Sequence, residues 1–261
     1  AGRIGTILVL DEPLGIEWRP PSIDAAREIV AFARTASPPA AIVALFPHLT
    51  PSPGRWPLDR VLAGRGADLV SHRLRCGIPV DPDGRWQRPG PGDVLKLIVL
   101  LHCCIDLRRT GSAAGRRLDL THAALAAEAV IGACERGGDP LPAGDLGDPA
   151  APTIARLDTA LGTLLDSVPG AGPVFRGDCR RHRDRLVRRW FGGQDPGEVL
   201  LRWTSDESSS GGEGPRLARF LGIEWRSSED VFASSLEPVV RSMRADIASE
   251  AESEDRDALL G

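Results

Sequence analysis

Apolar and polar residues occur in blocks along the first part of the chain, and the blocks have the lengths of strands and helices. Residues 3–10 form a continuous, β-branched apolar run that predicts a buried strand. A helix is predicted from Ser22, a typical capping residue, to about Thr35, and residues 41–46 predict a second strand. Strand, helix and strand in this order indicate a βαβ unit with a parallel sheet.

Two further apolar runs each end in a reactive side chain. Residues 94–101 are followed by His102, and residues 129–134 end in Cys134. A short apolar run can be a buried strand or a buried helix, because its period does not separate the two. The β-branched residues and the preceding Pro-Gly-Pro-Gly favour a strand for the first run. We interpret both as parallel strands whose carboxyl ends open on a crevice.

Composition divides the chain into two parts. Residues 141–152, rich in proline and glycine, predict a linker. Residues 1–140 are expected to form an α/β domain, and residues 153–261 a helical region with a basic helix and an acidic tail. The expected fold class is therefore α/β, with a small parallel sheet in the N-terminal half and a helix-rich C-terminal region.

Length and charge exclude several classes of protein. The chain has 261 residues, of which 42% are hydrophobic, so it can bury a sizeable core. Its net charge of −4 gives it no global attraction for nucleic acid or for an anionic membrane. Its apolar runs are shorter than the roughly 20 residues of a membrane helix, so no membrane partner is expected. Five cysteines, an odd number, favour a reduced, cytoplasmic setting.

His102 ends the segment KLIVLLH, Cys134 lies in VIGACERG, and LDLT stands between them. Together these segments resemble those of caspase-fold cysteine peptidases of the CHAT type. The resemblance covers about residues 94–138. It implies that Cys134 is a nucleophile, that His102 is its general base, and that N–H groups near Gly132 and Cys134 form an oxyanion hole. The first functional hypothesis is an intracellular cysteine peptidase that needs no cofactor and acts with a protein partner.

A second resemblance lies at residues 157–177, which are similar to the helix and strand opening the NAD-binding half of ADP-ribosyltransferases. It implies that Arg176 holds the cofactor phosphate. The later parts of the family's Arg, Ser, Glu-x-Glu pattern then fall on the serines at 208–210 and on Glu250 and Glu252. This NAD-dependent activity is the third hypothesis.

The most basic stretch, Arg176 to Arg189, leads to the alternative hypothesis, a non-catalytic interaction or assembly protein. Its predicted anion- or partner-binding residues, near one helical face, are Arg181, Arg185, Arg188 and Arg189. Such a face binds a protein partner or nucleic-acid phosphates, or it is a solvated surface paired with the acidic tail. All three hypotheses stay open at this point. No metal site is predicted, because the His and Cys residues lack a close Cys-x-x-Cys pair.

The sequence LGIEWR occurs twice, at 14–19 and at 221–226. Each copy precedes Pro or Ser residues and a predicted helix. The repeat is interpreted either as a pair of tryptophan packing anchors, Trp18 and Trp225, or as a duplicated docking surface.

Overall fold

The computed structural model describes residues 6–10, 13–14, 17–18, 22–36, 39–47, 57–64, 69–81, 91–104, 107, 113–136, 141, 144–205 and 213–260. Within these ranges, a small parallel sheet occupies the N-terminal half and helices dominate the C-terminal region, so the predicted fold class is confirmed. No helix within them combines the length and the apolar character that a bilayer crossing needs. The serines predicted at 208–210 lie outside the described residues.

The strands are β1 (Thr6–Leu10), β2 (Pro13–Leu14), β3 (Glu17–Trp18), β4 (Ala41–Pro47), β5 (Ser71–Cys76), β6 (Ile78–Val80) and β7 (Leu120–His122). The main sheet has the order β1-β4-β5, and both of its strand pairs are parallel. Its register pairs Thr6 with Ala41 and Ile42 with Ser71. Two smaller pairs are β2-β3, which is antiparallel, and β6-β7, which is parallel.

The helices are α1 (Ile23–Thr35), α2 (Pro57–Gly64), α3 (Pro91–Cys103), α4 (Ala123–Glu135), α5 (Ile154–Asp166), α6 (Pro173–Phe191), α7 (Pro196–Trp203), α8 (Gly214–Leu221) and α9 (Ser228–Leu260). The first of them confirms the prediction for residues 22–35. Ser22 is its N-cap, and the Ser22 hydroxyl accepts a hydrogen bond from the Ala25 N–H at 3.1 Å. Its buried face packs with α2 over β4.

The apolar run at 94–101 is a helix, so the strand predicted there is wrong. It belongs to α3, in which every residue from 94 to 101 is buried. Contacts with β6, α5, α6, α7 and α9 cover it. A helix that is buried on all sides lacks the alternation of polar and apolar positions that identifies a surface helix. Proline at its first position is favourable for a helix and gives no sign of a strand.

Residues 129–134 are the second half of α4, and the strand predicted there is also wrong. The many alanines of α4 have high helix propensity, and His122 caps its first turn. The small side chains of α4 pack on β4 and β5. Cys134 therefore lies on a helix that covers the sheet, and not at the carboxyl end of a strand.

The hydrophobic core among the described residues divides into three clusters. The largest joins α3, α5, α6, α7 and α9 with β6 and β7. The second lies between α1, α2 and β4, and the third between the sheet, α4 and α8. The clusters interleave along the chain, because the largest begins at Ile78 while the third also takes Ala129, Leu146 and Leu217. The domain division at residues 141–152 stays a prediction.

Part of the predicted linker is packed against the sheet. The Arg75 N–H donates to the Gly144 carbonyl, and the Leu146 N–H donates to the Arg75 carbonyl, both at 2.5 Å. Leu146 is buried in the third cluster. These bonds attach the segment to β5.

Buried polar groups fix the start of α9. The Ser228 N–H donates to the Asp148 carboxylate at 2.6 Å, and the Leu120 N–H donates to the Ser228 hydroxyl at 3.1 Å. Asp119 accepts hydrogen bonds from the Asp148 N–H and from the Ser228 hydroxyl. A carboxylate at a helix N-terminus is favourable because the helix dipole is positive there. The network joins α9, β7 and residues 145–148.

Candidate functional site

Helix α6 presents the most strongly charged face of the C-terminal region. The helix starts after Gly172 with Pro173 in its first turn, and it ends at Gly192, whose φ of 63° is in the left-handed region. Its buried side, which packs against α3 and α9, consists of Phe175, Cys179, His182, Leu186, Val187, Trp190 and Phe191. With this side in the core, the opposite side of α6 faces solvent.

Some arginines of α6 bind acidic groups of the same chain. The Arg176 Nη2 lies 2.5 Å from Asp166 Oδ1, and the Arg189 Nη1 donates to Glu250 Oε1 at 2.8 Å. Arg189, predicted to bind a partner, is therefore already paired with α9. This pair agrees with the part of the prediction that set the basic helix against the acidic tail. These arginines hold α6 in the fold.

A second set of arginines points away from the fold. Arg181, Arg185 and Arg188, which we call the arginine row, are exposed and lie at helical spacings of four and three residues. Together they span about 10 Å of the helix. Within the part of the chain that the structure describes, the side chains of Arg181 and Arg188 make no hydrogen bond or ion pair. The row is a positive surface that the described fold leaves only partly neutralised.

An apolar pocket of about 460 Å³ lies at the N-terminal end of α6. Its walls are formed by Pro173, Val174, Phe175, Ile247 and Ala248, together with Asp178 and Arg244. Val174 is 79% exposed. Arg244 is exposed, and it pairs with no acidic group among the described residues. The pocket therefore combines apolar walls with one acidic and one basic group, Asp178 and Arg244.

His102 lies at the C-terminal end of α3 and is held by a carboxylate. Its Nδ1 is 2.7 Å from Asp158 Oδ1 of α5, and the imidazole is 19% exposed. When Asp158 accepts a hydrogen bond from the Nδ1–H of a neutral imidazole, Nε2 is left as an acceptor, which is how a carboxylate orients a general base. The same geometry also occurs in purely structural His–Asp pairs.

Cys134, the predicted nucleophile, lies in another part of the fold from His102. The residues on both sides of His102 belong to the largest cluster, whereas Cys134 packs against the third cluster. Burial raises the pKa of the Cys134 thiol, and the Glu135 carboxylate raises it further. Both effects disfavour the thiolate that a nucleophile needs.

The predicted oxyanion hole lies in the interior of α4. Gly132 is well past the first turn, so its N–H is part of the helical hydrogen-bond ladder, as is that of Cys134. Neither N–H is directed at a substrate. The peptidase hypothesis stays a prediction to which these positions add no support.

Arg176 lies within a helix, whereas the ADP-ribosyltransferase resemblance implies a strand at this position. Its Nη2 donates to Asp166 and its Nε to the Ala171 carbonyl, so two of its nitrogens already have partners. Glu250 is engaged by Arg189. The strand implied by this resemblance is wrong, and the NAD-dependent activity stays a prediction.

Comparison with protein-family models, with curated proteins and with solved structures finds no match. Both resemblances therefore depend on short sequence segments alone. Function has to be inferred from the chemistry of the described residues.

Two contacts that involve charged or reactive groups have no signal in the sequence. Asp158 is not predicted as the partner of His102, because the two residues are 56 positions apart and no motif connects them. The contact of the Cys104 sulfur with the Cys179 carbonyl oxygen is not predicted either, although both residues stand out as cysteines. In each case helix packing brings the partners together, and no local pattern reports it.

Proposed function

We propose that this protein is a non-catalytic interaction protein that binds an acidic segment of a protein partner along the arginine row of α6. The observation that carries the proposal is the division of the α6 arginines into two sets. Arg176 and Arg189 bind acids of the chain itself, while the side chains of Arg181 and Arg188 are exposed and have no partner within the described ranges.

The row and the pocket together favour one kind of ligand. Carboxylates spaced along a peptide neutralise guanidinium groups through charge-assisted hydrogen bonds, which are stronger than neutral ones. The neighbouring pocket accepts an apolar side chain, and Arg244 adds a positive charge at its wall. A segment in which an apolar residue precedes several Glu or Asp residues matches both features.

Nucleic acid fits this surface less well. The whole chain carries a charge of −4, which opposes any anion, and it opposes the dense charge of a nucleic acid more strongly than the few carboxylates of a short acidic segment. The exposed Asp184 lies within the same stretch of helix and adds negative charge near the row. An apolar pocket at the end of the row also offers nothing that a phosphate backbone uses.

A labelled peptide with a leucine followed by a run of glutamates tests the proposal by fluorescence anisotropy. We expect binding to the full chain that weakens as the ionic strength rises, because salt screens exposed charges. Arg188→Glu and Arg181→Glu should each weaken binding about tenfold at low salt, which corresponds to about 1.4 kcal/mol.

Arg219→Glu is the matched control, since Arg219 is exposed on α8, carries the same charge, and makes no ion pair with described residues. It should leave the affinity within about twofold, apart from the small effect of net charge. An Arg219→Glu effect equal to that of Arg188→Glu would show nonspecific attraction. Binding of duplex DNA or RNA without binding of the peptide would also overturn the proposal.

A further inference from the structure

Helix α4 has an exposed acidic face on the side away from the sheet. Glu128, Ile131 and Glu135, which we call the α4 acid face, are exposed and lie at helical spacings of three and four residues. Ile131 is 55% exposed, and among the described residues only Val174 exposes a larger fraction of a large apolar side chain. The face therefore places an apolar side chain between two carboxylates.

The two carboxylates of this face are not neutralised by the fold that the structure describes. Neither of them makes a hydrogen bond or an ion pair with a described residue. Two basic groups nearby have other contacts. The Arg136 guanidinium lies 4.3 Å from the centre of the Phe220 ring, and Arg226, which lines one small cavity together with Glu128, is 3.9 Å from Glu224. Within the described residues, the α4 acid face thus carries an unpaired negative charge at each end.

The α4 acid face and the arginine row of α6 have the same length. Glu128 and Glu135 are seven positions apart, as are Arg181 and Arg188, the two arginines of the row whose side chains have no partner within the described ranges. Seven positions correspond to two helical turns, or about 10 Å. When the two helices lie antiparallel, Glu135 faces Arg181 and Glu128 faces Arg188. Opposite charges then meet at both ends.

The middle residues match in the same antiparallel arrangement. Ile131 is three positions from one carboxylate and four from the other, and Arg185 divides the arginine row in the same way. Ile131 therefore falls opposite Arg185. The aliphatic stem of an arginine can cover an apolar side chain while its guanidinium stays in water. In a parallel arrangement the middle residues are out of step by one position.

We propose that the acidic segment bound by the arginine row is the α4 acid face of a second copy of this chain. This inference rests on the proposed function, because it names the partner of the same row, and it does not involve the pocket beside Val174. Both surfaces are exposed in the single chain, so they do not meet within one copy. The net charge of −4 on each copy acts mainly from larger distances, where salt screens it first.

The proposed contact joins two different surfaces of the same chain. Each copy therefore offers one arginine row and one α4 acid face. Two copies related by a twofold axis make the contact twice and form a closed dimer, whereas a head-to-tail arrangement gives rings or open chains. In both cases the contact depends on the same two pairs of charges.

Sedimentation equilibrium of the full chain tests the proposal through a charge exchange. One variant carries Arg181→Glu and Arg188→Glu, and the other carries Glu128→Arg and Glu135→Arg. We expect the wild-type protein to self-associate at low ionic strength and to dissociate at about 1 M salt, where the Debye length is about 3 Å. Each variant alone should associate at least about tenfold more weakly, because like charges then face each other.

An equimolar mixture of the two variants tests the pairing itself. The unchanged α4 acid face of the first variant meets the unchanged arginine row of the second, and the two reversed surfaces also carry opposite charges. We therefore expect the mixture to associate within about threefold of the wild-type protein. The matched control is Glu28→Arg, since Glu28 is exposed on α1 and makes no ion pair with described residues. It should leave the association constant within about twofold.

The acidic peptide separates this inference from the proposed function. The variant with Glu128→Arg and Glu135→Arg retains the arginine row, so it should bind the peptide at least as tightly as the wild-type protein, although it no longer self-associates. A wild-type protein that binds the peptide but stays monomeric up to about 1 mM would overturn the second-copy proposal alone. Loss of both activities would overturn the proposed function as well.

Two further results would contradict the pairing of the two faces. They are charge-exchange variants that associate as strongly as the wild-type protein, and a mixture of folded variants that stays monomeric. Circular dichroism of each variant establishes that it is folded before the mixture is measured.

Discussion

At the scale of single residues, Lys96 has the most constrained environment in the described part of the molecule. It is the only lysine of the chain and is fully buried. Its Nζ lies 3.0 Å from Asp246 Oδ2 and 3.4 Å from Asp93 Oδ1. The Trp190 indole N–H also donates to Asp246 Oδ2, and its ring lies beside the ammonium group. These contacts join α3, α6 and α9 through one buried charge.

Loss of the Lys96 charge should be costly, because it removes the buried ammonium group that contacts both the Asp93 and the Asp246 carboxylates. We expect Lys96→Ala to lower the free energy of unfolding by about 3–5 kcal/mol, as measured by urea denaturation. The control is Arg241→Ala, which removes the exposed pair between Arg241 and Glu237 on α9. That change should cost about 0.5 kcal/mol or less. Equal losses for the two variants would show that the buried charge has no special role.

At the scale of elements, the start of α8 depends on the second copy of LGIEWR. The ring of Trp225 lies so close to Gly214 that a Cβ on Gly214 would overlap it, and the Gly147 carbonyl oxygen would be 2.7 Å from the same Cβ. Trp225 therefore packs against the first residue of α8, the helix before it, whereas the anchor interpretation concerns the helix that follows each copy. The first copy has a different structure, since it contributes Leu14 and the pair Glu17–Trp18 to the β2-β3 ladder.

Gly214→Ala should destabilise the protein because neither the indole nor the carbonyl has room for a methyl group. We expect a loss of about 1–3 kcal/mol in the free energy of unfolding. Gly162→Ala is the matched change, since Gly162 lies inside α5 with nothing within 4 Å of the added Cβ. It should stabilise the protein by about 0.5–1 kcal/mol through helix propensity. Thermal unfolding, monitored by circular dichroism, shows whether each variant is less or more stable than the wild-type protein. A stabilising Gly214→Ala would contradict the close packing at this position.

At the scale of the whole molecule, α3 connects the two halves of the sequence. It comes from the half that also forms the sheet, yet its buried residues lie in the core built by α5, α6, α7 and α9. The apolar residues of 94–101 contribute about 1.5–3 kcal/mol each, or about 10–20 kcal/mol together. That is as large as the whole stability of a typical domain, about 5–15 kcal/mol.

A fragment of residues 153–261, cut at the end of the predicted linker, should therefore lack a fixed core. We expect weak near-ultraviolet circular dichroism and no cooperative thermal transition, although helices persist. A fragment of residues 78–261 retains β6, β7 and α3 and should unfold cooperatively. If the shorter fragment also unfolds in a single sharp transition, then α3 is not required for the C-terminal core.

The sequence by itself determines the elements whose signals are local. The β-branched runs predict β1 and β4, and Ser22 with its following apolar face predicts α1. The spacing of Arg181, Arg185 and Arg188 is enough to place them near one helical face. These predictions succeed because a cap, a strand run and a helical face each depend on residues within a few positions of one another.

Only the tertiary structure decides what depends on burial and on distant partners. The run at 94–101 is a helix because other helices surround it, and this removes the periodicity by which a helix is recognised. Helix packing also decides that Arg189 meets Glu250 while the Arg188 side chain has no partner among the described residues. In the same way it brings the Cys104 sulfur to 3.9 Å from the carbonyl oxygen of Cys179, a residue 75 positions away. The sequence supplies these reactive and charged groups, and the packing of α3, α6 and α9 determines which of them meet.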